Sequence, residues 1–338
     1  MKKFAKLLCL ALACVLALSA LAACGNGDKP TAKIIDIRLT DEDYAFGVDK
    51  DQPELLAQVN DFIAEIMENG TFEEICNKYF GDGTPTAVQS AELDPNKDQL
   101  LVATNAAFEP FEYKDGDSYY GVDMEIAKLL ADKLGKELVI QNMDFDAVCL
   151  SVGQHQSDIA MAGLTVNEKR EEYVTFATPY YKASQKLIVP SDDTRFDNCK
   201  TVEDVEAILK EMDKSTKIGV QNGTTGQKYL VGDEEWGFAG FGVDCVGYKN
   251  GSLAVQDMLN GNLDYVVIDE EPAKFITEAI NKFASPICLL RPRCRAGMTD
   301  LPRLHRAGLS SVFQPYGRDT PIKRALAGQG RWGLLYDE

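Results

Sequence analysis

Apolar positions along the chain fall into two alternating rhythms. In "PELLAQVNDFIAEIMENG", Leu55, Leu56, Val59, Phe62, Ile63, Ile66 and Met67 recur three and four residues apart before Gly70, which predicts an amphipathic helix with a glycine stop. "TFEEICNKYFG" predicts a second helix, with Thr71 and Glu74 at the spacing of a capping box. The short runs "KIIDIRL" and "QLLVATN" predict strands. "YYGVDMEIAKLLADKLGKELVIQNM" reads as strand edge, helix and strand, with Met124, Ile126, Ala127, Leu130 and Leu134 facing inward. "DAVCLSVGQHQ" then predicts a helix, "SDIAMAG" a strand and "NEKREEY" a helix. This β-α-β-α-β alternation predicts a parallel sheet with crossovers packed on its faces. "KASQKLIVP" predicts a strand ending at Pro190, and beyond it the alternation restarts and runs through "TKIGVQ", "GSLAVQDMLNG", "LDYVVID" and "EPAKFITEAIN". The pattern therefore predicts two α/β lobes.

From Phe283 onward the rhythm fails. Eight arginines fall there, against three in all the preceding chain, together with frequent proline and glycine. This tail reads as a poorly ordered segment rather than a binding module. Six further cysteines, Cys76, Cys149, Cys199, Cys245, Cys288 and Cys294, show neither a CxxC pair nor zinc spacing, so buried free thiols are expected and a disulfide scaffold or metal site is not. No cofactor is implied. A formal charge of -18 disfavours nucleic acid and anionic membrane surfaces as partners.

The N-terminus is read as export machinery rather than fold. Lys2, Lys3 and Lys6 precede an apolar run from Leu7 to about Ala20, the layout of a secretory signal peptide. "LAAC" at its end resembles a bacterial lipobox, which would place a lipid on Cys24 and leave "GNGDKPTA" as a flexible tether. The expectation is an exported monomer, lipid-anchored on the outer face of a bacterial cytoplasmic membrane.

Positive charge before residue 283 is nearly all lysine, so Arg170, placed just after "AGLT" at a predicted helix start, asks for a reason. A guanidinium is a planar fork that can grip a carboxylate with two bonds, which an ammonium cannot do. With Asn167 as the helix cap, the hydroxyl and amide of Thr165 are left for a ligand, and Arg170 projects back from the first turn. A local ion pair with Glu171 or Glu172 is the alternative.

"LLVATNAAFEPFEY", "GVDMEIAKLLADKLG" and "AGLTVNEKREEYVTFATPYY" resemble the first lobe of the family 3 extracellular solute-binding proteins, the amino-acid receptors of ABC importers. "VQNGTTGQKYL" and "LDYVVIDEEPA" resemble its second lobe. The resemblance implies a two-lobed periplasmic-binding-protein-like fold of type II, with the ligand in a cleft between lobes and an ABC permease as partner. It implies that Arg170, Thr165, Thr224 and Thr225 hold the carboxylate of a free amino acid, and that Asp269, Gly163 and Thr165 hold its ammonium. Phe108 and Phe145 would wall the side-chain pocket. Asn105 stands where relatives for basic ligands carry an acid, so a neutral or polar amino acid is expected. Val122 and Glu109 depart from the family's usual residues.

In the family's order, a segment like residues 41–81 ends the chain, whereas here it comes first. A circular permutation is the expectation, with residues 34–82 completing lobe 1, 83–98 as connector, 99–189 as lobe 1 and 190–282 as lobe 2. Only the strand near Lys186–Val189 would then join the lobes. An enzyme like cyclohexadienyl dehydratase, with Glu109 or Glu112 as proton donor, and a nutrient-sensing module remain as alternatives.

Overall fold

The computed structural model describes residues 30–234 and 237–284. The segment predicted to be a signal peptide, Cys24, Cys288, Cys294 and the arginine-rich tail lie outside the described residues. No helix among the described residues is long and apolar enough to cross a membrane.

Two five-stranded sheets form the lobes. The first has the order β10-β3-β9-β4-β8, from β3 (Gly47–Asp49), β4 (Gln99–Thr104), β8 (Glu137–Asn142), β9 (Ile159–Ala160) and β10 (Val174–Phe176). The second has the order β1-β12-β15-β13-β14, from β1 (Ala32–Ile35), β12 (Gln185–Pro190), β13 (Lys217–Gln221), β14 (Asp244–Tyr248) and β15 (Tyr265–Asp269). A two-stranded ribbon of β2 (Glu42–Tyr44) and β11 (Tyr181–Ala183) runs between them, and β5 (Ala107–Phe108), β6 (Glu112–Asp115) and β7 (Ser118–Tyr120) form a small third sheet.

The sheets are mixed, not parallel as the alternation predicts. Strand β4 is parallel to β8 and β9, and β13 is parallel to β14 and β15. Strands β3 and β12 run antiparallel to their neighbours β9 and β15. Both arrive from the opposite lobe, so they enter from the cleft side and run against the crossover strands.

The expected lobe boundaries also move. Both β1 and β12 belong to the second sheet, because Ile35, Leu39, Leu187 and Val189 fill one core with Ile218, Val220, Tyr265 and Val267. The strand predicted over "KASQKLIVP" breaks at Ser184, between β11 and β12. From β1 the chain continues through β2 into β3 of the first sheet, so it crosses between lobes a second time. This corrects the expectation of a single joining strand.

Helix α1 (Pro53–Glu68) buries Leu55, Val59, Phe62, Ile63 and Ile66 and packs against β3 and α2 (Thr71–Phe80). Full burial of each such side chain contributes about 1.5–3 kcal/mol. Thr71 does not cap α2. The cap is Gly70, at φ 83°, and the Thr71 amide bonds Asn69 Oδ1 at 2.9 Å. The connector is fastened rather than free, since Val88 is buried and bridges Tyr119. Cys76 and Cys149 are buried free thiols, whereas Cys199 and Cys245 are only half-buried.

The remaining helices are α3 (Val122–Leu134), α4 (Phe145–Gly153), α5 (Glu168–Glu171), α6 (Val202–Lys210), α7 (Thr225–Val231), α8 (Gly251–Leu259) and α9 (Glu270–Ala284). The C-terminal ends of β4, β9, β13 and β15 lead into Asn105, Gly163, Thr225 and Asp269 respectively, each with a contact at or beside the boundary between the lobes.

Candidate functional site

Asn167 caps α5 by accepting the Arg170 N–H at 3.0 Å, and this fixes the first turn from which Arg170 projects. The guanidinium donates to the Thr165 carbonyl at 2.7 Å and, across the interlobe contact, to the Gly223 carbonyl at 3.2 Å. It lies over the Phe145 ring at 5.1 Å. Its bonds therefore go to carbonyls of both lobes and not to Glu171 or Glu172. Gly223 has φ 75°, and a Cβ there would press on Asp146 at 3.1 Å, so glycine lets the lobes approach here.

The two threonine expectations are corrected in part. Thr165 Oγ1 is not left over for a ligand, because it donates to Glu42 at 2.5 Å and accepts from Thr225 across the lobes at 3.1 Å. Thr224 is the cap of α7: its hydroxyl accepts the Gln227 N–H and donates to the Gln221 carbonyl at 2.8 Å. The Thr224 hydroxyl is thus engaged within its own lobe, and that of Thr225 points across the cleft.

Asp269 is buried at the end of β15 and accepts the Tyr44 hydroxyl at 2.5 Å. Its carboxyl is pushed up to about 7, by burial first and by the charge of Glu42 second, with the Tyr44 and Gln185 hydrogen bonds opposing. Gly163 donates its N–H to Asp123 at 2.9 Å, and Tyr180 donates to the other oxygen of Asp123 at 2.6 Å. Burial likewise pushes Asp123 up to about 7. Gly163 has φ 52°, and a Cβ there would meet Phe108 at 2.9 Å and Tyr44 at 3.3 Å. Phe108 and Gly163 thus sit together beside Tyr44, while Phe145 lies under Arg170.

Asn105 is half of an interlobe bridge. Its Nδ2 donates to the Met143 carbonyl at 2.6 Å and its Oδ1 accepts from Gln221 at 3.0 Å. Glu112 is fully buried, and neither carboxyl oxygen has a hydrogen-bond partner among the described residues. Burial, then the nearby charges of Asp123 and Asp269, hold its carboxyl well above the usual range. Glu109 is pushed up to about 7, mainly by burial. A groove of about 520 Å³ opens beside Thr165 and Glu42, with Thr40, Asp43, Tyr229 and Phe238 among its walls.

Sequence reasoning misses Glu42, Tyr44, Asp123 and Gln221. Tyr44 and Asp269 stand 225 residues apart, a separation that no local pattern reports. Only Gln221 carries a signal, since it ends a predicted strand immediately before the "NGTT" turn. The assembled arrangement can grip a small zwitterion: a forked cation with helix-start donors at one end, and an ionisable buried carboxyl at the other. Elsewhere among the described residues, Asp49, Asp51 and His155 bring their ligand atoms within 4.8 Å of one another, and His155 Nδ1 lies 2.8 Å from Asp49.

The chain is 34% identical over 131 residues to the arginine-binding extracellular protein ArtP of Bacillus subtilis, covering 39% of this chain and 47% of that protein. It is 28% identical over 194 residues to the arginine-binding periplasmic protein of Mannheimia haemolytica, covering 54% of this chain and 72% of that one. The chain thus spans about half the length of the first of these relatives. A solved structure of an ancestral arginine-binding protein bound to arginine is 32% identical, with a TM-score of 0.47, covering 56% of this chain and 76% of that one. The model for bacterial extracellular solute-binding proteins, family 3, matches residues 13–82 and 100–226, more than half of the chain, and the chain belongs to that family.

Proposed function

We infer that the protein captures a free amino acid by lobe closure and delivers it to the permease of an ABC importer, held outside the cell membrane by a lipid on Cys24. One observation carries the reading. Arg170 bonds carbonyls of both lobes, so the strongest carboxylate-gripping group of the site sits where closure brings the lobes together. Thr225 and the backbone amide of Thr165 support the carboxylate end, and Asp269 with Gly163 the ammonium end. Burying a zwitterion without partners for both charges would cost several kcal/mol, and this pairing offsets that cost.

The favoured ligand is neutral or polar, because both polar ends of the Asn105 amide are already engaged and no acid stands in its place. A basic ligand is the second reading, favoured by the names of the arginine-binding relatives. An enzyme of the cyclohexadienyl dehydratase kind is a third, favoured by the buried Glu112, whose carboxyl is held well above the usual range, and turnover of prephenate or arogenate decides it.

The circular permutation belongs to the same proposal. It is supported by β1 pairing in register with β12, and by α9 ending against the start of β1, where the Asn281 side chain bonds Ala32. The deciding experiment is a thermal-shift screen of the mature protein against the common amino acids. A stabilising ligand whose effect is lost in Arg170→Ala is expected, a loss of roughly 1.5–3 kcal/mol or more in binding. No shift with any amino acid would overturn the reading.

A further inference from the structure

Two amides at the head of the cleft have their orientations fixed by a backbone carbonyl. The Met143 carbonyl can only accept, so the Asn105 end bonded to it at 2.6 Å must be Nδ2. That turns Asn105 Oδ1 toward Gln221, and an acceptor there requires Gln221 Nε2, found at 3.0 Å. The relay leaves Gln221 Oε1 facing the other way, buried and without a hydrogen-bond partner. Flipping either amide would set two acceptors or two donors against each other, so the relay holds this oxygen where it is.

An orphaned buried carbonyl costs about 1–3 kcal/mol, and this one stands among the site's own residues. The Gln221 backbone carbonyl accepts from Thr224, and Asn105 ties Gln221 to the opposite lobe. We propose that Gln221 reads the ligand's side chain, its Oε1 accepting an N–H from a side chain such as an amide, imidazole or guanidinium. Aliphatic amino acids, which cannot satisfy that oxygen, are rejected. Selectivity and closure then share one element, since Gln221 reaches Asn105 only when the lobes are together. This inference rests on the amino-acid reading of the site and adds the class of side chain it selects.

The test is calorimetric titration of the mature protein and two variants with glutamine, histidine, arginine, alanine and valine. Gln221→Met keeps the length but loses the acceptor. It is expected to weaken every ligand through the lost bond to Asn105, and the tightest N–H-bearing ligand by about tenfold or more beyond alanine and valine. Gln221→Glu keeps an acceptor and is expected to retain discrimination in favour of N–H donors; it decides the matter if Gln221→Met fails to show a cooperative melt. Equal losses for every ligand, or a wild-type preference for valine, overturn the inference while leaving amino-acid capture intact. No binding of any amino acid by the wild type overturns both.

Discussion

The chain passes between its lobes twice, through residues 36–46 and through residues 177–184, and the two passages are chemically unlike. The later passage is anchored in covalent order at both ends, by β10 in the first sheet and β12 in the second. It contributes one hydrogen bond, from Tyr180 to Asp123, and otherwise packing, of Tyr180 on Phe46 and of Tyr181 on Phe111 and Phe80. The earlier passage supplies Glu42 to Thr165 and Tyr44 to Asp269, so it touches both ends of the proposed ligand site. On the second lobe it is held by the pairing of β1 with β12 and the packing of α9 on β1. Of the two, the passage anchored on the second lobe by an edge strand therefore carries more of the polar machinery.

Truncation of one tyrosine on each passage separates packing from recognition. Tyr44 is completely buried, with its ring 5.2 Å from Phe111 and 5.8 Å from Tyr181. Tyr44→Ala is expected to cost about 3–5 kcal/mol of unfolding free energy and to abolish measurable binding, because Asp269 also loses its donor. Tyr181→Ala is expected to cost comparable stability yet leave binding within about tenfold, since no polar bond to the site is lost. Urea unfolding and calorimetric titration on both variants check this. Equal effects on binding would erase the contrast between the passages.

The same contrast marks how far the sequence could be read. Helix α1 and the crossover strands were legible because their apolar spacing is repeated and long. The strands β2, β3, β5, β7 and β10 are two or three residues each, too short for any period to register. Arg170 and Asp269 could be picked out by chemistry and resemblance. Their neighbours Glu42 and Tyr44 could not, because they stand on a segment whose place beside the site is set only by tertiary folding. The threonines show the complementary failure: "GTTG" offers two equivalent hydroxyls, and only the capping geometry assigns Thr224 to the helix and Thr225 to the cleft.

Acidity offers a second, smaller way to probe the early passage. The folded carboxyl of Asp269, at about 7, lies above the ordinary value of about 3.9. The folded state therefore favours the protonated form, and this contribution to stability is present at low pH and lost as pH rises through about 7. Binding runs the other way, because an ammonium group needs the carboxylate. Affinity is expected to fall by up to about tenfold per unit on acidification from about pH 7 to about pH 6. Glu42, Tyr44, Asp123 and Glu112 share the neighbourhood, so Asp123→Asn serves as the control for a second group near 7 there. Tyr44→Phe removes a bond that favours the charged form and is expected to move the midpoint upward. An affinity independent of pH in the wild type would remove Asp269 from the ammonium site.

The smallest expected effect lies at the start of the early passage. β1 is an edge strand, and edge strands leave one side of their peptides without a ladder partner. Asn281 fills that role for one residue: its Oδ1 accepts the Ala32 N–H at 3.0 Å, and its Nδ2 donates to the Ala32 carbonyl at 2.8 Å. One carboxamide thus replaces a neighbouring strand's peptide and pins the strand to α9, across 249 residues of sequence. Because Ala32 is buried, Asn281→Ala leaves two backbone groups without partners. It is expected to cost about 1–2 kcal/mol in urea unfolding, while ligand affinity changes by less than about threefold. If the permuted reading is right, a rearranged chain in which residues 30–82 follow residue 284 through a short linker should recover that loss and bind as the parent does. A rearranged chain that failed to fold, with Asn281→Ala costing nothing, would mean that this junction is a chance contact and not a severed connection.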